Sequence, residues 1–97
     1  MHDFKIKDIL IEHSNALRAL LRASRSQGKE ADAQVKNAVN HVKSLLKLLE
    51  KYEPQEVPPE TKVRAEKAVS SLASGDIDEG RAVLLEMGRQ FDDFIKK

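Results

Sequence analysis

Three histidines in a chain that has no cysteine are the first residues to ask for chemistry. Two of them, His13 and His41, fall inside segments of helical periodicity. If the chain turns back on itself near Gly28, positions facing each other across the hairpin sum to about 56. That sets His13 opposite position 43, with His41 roughly 3 Å away along the axis. Two imidazoles in neighbouring layers are half of a metal site. Metal sites in helical bundles, however, draw their remaining ligands from Glu-x-x-His pairs. The residue three before His13 is Leu10 and the residue three before His41 is Ala38, while Glu12 points to a different side of its helix. Both histidines are therefore expected to be structural or surface residues, with no metal and no cofactor.

Other chemistry finds equally little support. The H-x-x-K-G pattern of phosphate-accepting histidines in helical phosphotransfer bundles is matched at neither position, since His41 is followed by Val42, Lys43, Ser44 and Leu45. Asp92 and Asp93 are adjacent, so on a helix they diverge by about 100° and are expected to be solvated. The run from Gly75 to Gly80 is acidic but lacks the ligand spacing of a calcium loop. No phosphate-binding glycine loop, nucleophile elbow or dinucleotide fingerprint is present. Small side chains at many core positions leave little room for a substrate pocket. Enzymatic activity is not expected.

Charge is more informative. The net charge of +1 conceals an asymmetry. Residues 1–49 hold nine basic and five acidic side chains, whereas residues 50–97 hold eight basic and eleven acidic. Arg18, Arg22, Arg25 and Lys29 follow one another at 4-3-4 spacing in a stretch without acids, and Lys36, Lys43 and Lys47 line one side of the next helix. Three arginines in line can neutralise phosphates, which is the footprint of nucleic-acid contact. Against that reading, the pI is near 8.0, below the value of about 9 usual for such domains. Phe4 is the one aromatic residue of the basic half available to stack on bases before Tyr52. The stripe can equally be a solvated helix face, a docking face for an acidic protein, or a partner for Asp78, Glu79, Glu86, Asp92 and Asp93 of the last helix.

The elements that must carry these residues are helices. With 40% hydrophobic and 34% charged residues the chain is leaner than average but too rich in aliphatic side chains to be disordered. Ala31, Val35, Ala38, Val42, Leu45, Leu49 and Tyr52 repeat at 4-3-4-3-4-3, an apolar seam held over three heptads. Ile6, Leu10, His13, Leu17, Leu20 and Ser24 repeat likewise, and so do Ile77, Gly80, Leu84, Met87, Phe91 and Phe94. Ala65, Val69 and Leu72 form a weaker third pattern. The breaks fall at Gly28, at the proline-containing linker and at Gly75. Pro58 or Pro59 suits the first turn of the third helix. Asp76 is expected to cap the fourth, with Glu79 completing a capping box. Gly80 and Gly88 inside the fourth helix are expected to admit a close neighbour, the third helix above all.

These patterns predict one all-α domain over 1–97, a small up-down four-helix bundle made of two antiparallel helical hairpins. Its helices are expected at about 3–26, 29–52, 59–74 and 77–95, with a linker at 53–58. The competing arrangement leaves the third helix unpacked, in a three-helix unit or a dimer of long hairpins. The function this points to is a non-enzymatic interaction module in the cytoplasm, an adaptor, regulator or accessory protein that binds another protein, acidic in character, through Arg18, Arg22, Arg25, Lys29, Lys36, Lys43 and Lys47. The alternative is a nucleic-acid-binding module that sets the same residues against phosphates. Homodimer formation is compatible with either, and no segment is apolar enough to enter a membrane.

Overall fold

Gly28 and Gly75 both adopt left-handed backbone, with φ of +60° and +92°, a conformation that glycine enters without a Cβ penalty. At these two points the chain reverses, and each reversal makes a helical hairpin. The computed structural model describes residues 6–96. Over that range α1 runs Lys7–Ser24, α2 Gly28–Leu49, α3 Thr61–Ala73 and α4 Ile77–Lys96. No strand occurs among the described residues. α1 packs most extensively on α2, α3 packs on α4, and α2 joins the hairpins by packing on α3, while the α1–α4 seam is the thinnest. The result is the four-helix bundle of two hairpins, 46 Å along its axis. The third helix is packed, so the three-helix arrangement falls.

The helix ends follow local chemistry. At the end of α3 the Asp76 N–H donates to Ser71 O at 2.8 Å and the Gly75 N–H to Leu72 O at 3.2 Å, the paired bonds of a glycine-terminated helix. Asp76 then caps α4, its Oδ1 accepting the Glu79 N–H at 3.1 Å. Only this half of the expected capping box forms: the Asp76 N–H that the other half needs is already donated to Ser71 O, and the Glu79 carboxylate reaches Lys67 Nζ at 3.3 Å.

Several helix ends differ from the sequence reading, and α1 stops at Ser24 rather than 26. The start of the first helix near residue 3 lies outside the described residues. The second helix ends at Leu49 rather than 52, because a proline ring at 54 would clash with the carbonyl four residues back. Tighter turns then carry the chain through Tyr52, whose N–H donates to Leu49 O. Neither Pro58 nor Pro59 enters α3. Thr61 Oγ1 donates to Pro58 O at 2.6 Å, closing a turn in which Glu60 takes φ +65°, and the helix begins only after it.

The core comprises Ile9, Ala16, Ala38, Val42, Leu45, Ala65, Ala68, Leu84 and their neighbours, all shielded from solvent. On α1 the buried stripe is centred on Ile9, His13, Ala16 and Leu20, while Leu10 and Leu17 of the expected seam are only half-buried and Ser24 is exposed. α1 turns toward α2, its larger interface, and away from α4.

Candidate functional site

All seven basic residues singled out in the sequence are exposed. Arg18, Arg22 and Arg25 stand on the face of α1 opposite Ile9 and Ala16, and Lys29, Lys36, Lys43 and Lys47 run along the outer face of α2. Among the described residues, none of the seven side chains enters an ion pair or hydrogen bond. Two of the α4 acids that they might have met are paired elsewhere, Glu79 with Lys67 and Glu86 with Arg89 at 3.8 Å. Pairing of the basic stripe with α4 inside one chain is thus absent among the described residues.

Lys36 and Lys43 also border a cleft of about 830 Å³ at the end of the bundle where the two hairpin turns lie. Its origin is a mismatch of lengths. The 22 residues of α2 rise about 33 Å, and the 13 of α3 about 20 Å. α3 stops at its glycine turn, so the first two turns of α2 have no α3 across from them. The apolar seam of α2 therefore runs out of cover. Ala38, Val42 and Leu45 are fully buried, whereas Ala31 and Val35 of the same seam are only half-buried. Leu20, Val35, Val39, Leu72 and Ile77 supply an apolar floor. Lys36, Lys43 and Arg81 rim it, together with Asp32 and Asp78. This is more room than the small seam residues led one to expect. Arg81, Val39 and Ile77 were not singled out as site residues beforehand, and the readable signal for them was the brevity of the third apolar pattern beside the second.

The two helical histidines do not come together. His13 is buried, and its Nε2–H donates to the Leu84 carbonyl of α4 at 2.6 Å. Its ring packs edge-on against Phe91, with centroids 5.2 Å apart. Burial holds the His13 pKa below the ordinary 6.5, opposed in part by that hydrogen bond and by the charge of Asp92. His41 faces the other way, at the α1–α2 seam, where its Nδ1 lies 3.1 Å from Glu12 Oε1; the same oxygen accepts from Asn15 Nδ2 at 3.3 Å. Facing positions across this hairpin thus sum nearer to 53 than to 56. Among the described residues no group of three or more His, Cys, Asp or Glu is placed to hold a metal ion.

The interior glycines explain part of this geometry. A Cβ at Gly88 would stand 3.2 Å from His13 Cε1, so this glycine admits the imidazole of α1 and not, as expected, a neighbour from α3. Gly80 does face α3, where an added Cβ would meet Leu72 Cδ2 at 2.5 Å.

Comparison with known proteins finds no matching family model, no matching curated protein and no matching solved structure. No described helix is long and apolar enough to cross a membrane.

Proposed function

We propose that this chain is a non-enzymatic interaction module, an adaptor, regulator or accessory protein, that binds an acidic partner protein through the helix surfaces of its first hairpin. The observation that carries the reading is a cleft with an aliphatic floor bordered by Lys36 and Lys43, two of seven exposed cations on the first hairpin that have no acid bound to them among the described residues. Protein interfaces combine an apolar centre with a polar or charged rim. A phosphate backbone needs the cations but has no use for the floor. Neither α1 nor α2 contains an aromatic residue to stack on bases. A cytoplasmic setting belongs to the same proposal, in keeping with the cysteine-free composition. The second reading, nucleic-acid binding, is favoured by one observation, the three arginines in line on the outer face of α1.

The test uses a labelled amphipathic peptide of Glu and Leu at helical spacing, titrated by fluorescence anisotropy. Lys36→Glu with Lys43→Glu removes two attractions and adds two repulsions at exposed sites, each worth about 0.2–1 kcal/mol. The expected loss is about tenfold in affinity, the equivalent of about 1.4 kcal/mol. Arg18→Glu with Arg22→Glu is the companion variant for the α1 face. Weakening by either pair supports the reading, and unchanged affinity in both overturns it.

A further inference from the structure

We infer that the cleft takes a short amphipathic helix of the partner, acidic along one flank, seated in the slot that α3 leaves empty above its last turn. The inference rests on the functional reading above and names the partner segment. A four-helix bundle offers each helix two neighbours. α2 has α1 along most of its length, including its first turns, but α3 covers it only up to the glycine turn at Ser74 and Gly75. The uncovered part measures about 13 Å, the rise of roughly nine helical residues. Its floor, Ala31 and Val35 followed by Val39, keeps helical spacing, so the surface that complements it presents apolar residues at i, i+3 or i+4, and i+7. Charge selects the flank. On the α2 side of the cleft Lys36 and Lys43 stand with Asp32, and across it Arg81 stands beside Asp78. None of these cations is paired among the described residues. A helix lying there with Leu or Val down and Glu or Asp toward α2 covers the half-buried seam and meets Lys36 and Lys43. A basic helix or a second basic surface meets like charge instead.

The experiment is a two-dimensional NMR titration of the isotope-labelled full chain with a Glu/Leu peptide of about 14 residues, long enough to gain helix on docking. It is accompanied by sedimentation of the free protein and by anisotropy on two variants. Ala31→Glu places an acid at the edge of the floor in the first turn of α2, where an acid suits the helix dipole and the fold is kept; Ala31→Gln adds similar bulk without charge. The expected result is chemical-shift change at Ala31, Val35, Val39 and Ile77, with at least tenfold weaker binding for Ala31→Glu and a smaller loss for Ala31→Gln. Shifts confined to Arg18, Arg22 and Arg25, with Ala31→Glu binding as wild type, overturn the cleft assignment and leave the interaction reading standing. Absence of any peptide-induced shift, with shifts from an oligonucleotide instead, overturns both. Concentration-dependent shifts in the cleft of the free protein, together with a dimer in sedimentation, also overturn the assignment, since a second copy is then the occupant.

Discussion

Replacing Gly80 by alanine sets two opposing forces against each other at one residue. Inside a helix the change from Gly to Ala stabilises by about 0.5–1 kcal/mol, because Gly loses more backbone freedom on folding. At this position, however, the new methyl would lie 2.5 Å from Leu72 Cδ2 and 2.6 Å from its Cγ, where carbon atoms rest at about 3.5–4.0 Å. Leu72 must retreat by about 1 Å. It is 2% exposed and shares the core with Ala68 and Ala65, which do not yield at interior packing density, so it can retreat only on the side where it borders the cleft. Overpacking of this kind costs about 1–3 kcal/mol, and with relief toward the cleft it still outweighs propensity, leaving a net loss of about 1 kcal/mol. For a domain of this size each kcal/mol moves Tm by about 4–8 °C. Thermal unfolding followed by circular dichroism should therefore show a Tm lower by about 4–8 °C. In a Leu72→Ala background the clash is gone and Gly80→Ala should become neutral or stabilising, a coupling that a double-mutant cycle reads directly. A Tm that is unchanged or higher for the single variant, with no coupling to Leu72→Ala in the cycle, would refute the packing of Gly80 against Leu72 described above.

Two further outcomes follow from the same interior. His13 is held below its ordinary pKa by burial, so the unfolded chain takes up the proton first and stability rises with pH. Urea unfolding should show the fold at full stability above about pH 6.5 and losing it progressively as the pH falls through 6.5 toward the lower folded value. His13→Gln should flatten that dependence, and an identical slope in the variant would assign it to another group. Asp76→Ala removes the acceptor of the Glu79 N–H and should cost about 1 kcal/mol by the same measurement, whereas Asp76→Asn should recover most of it.

The fold was legible because apolar spacing and two glycines decide most of it. Val42 and Leu45 repeat in register with Ala38, and the chain reverses at Gly28 and Gly75. Boundaries near the prolines were less legible, because the turn from Pro58 to Thr61 depends on a side-chain hydrogen bond and on a left-handed Glu60, which no spacing rule reveals. The facing of α1 was off by a fraction of a turn, since which of Ile9 and Leu10 is inside depends on how unequally α2 and α4 share that helix. His13 and Gly88 read as separate anomalies, yet they fit one another across the α1–α4 seam. The basic residues of the surface were visible individually. The cleft beside them was not, because it arises from the difference in length between α2 and α3 and from no residue of its own.

The most direct measurement of the central claim compares partners side by side: anisotropy titrations of the acidic peptide and of single- and double-stranded oligonucleotides with the full chain, each at about 50 and 200 mM salt. A protein-binding module should take up the peptide with micromolar affinity and modest salt dependence, its apolar contacts surviving the screening of exposed charges. Oligonucleotides should bind weakly or not at all. The contradicting result is tight oligonucleotide binding that falls steeply with salt, by a slope of about 0.7–0.9 per phosphate neutralised, with the peptide left unbound.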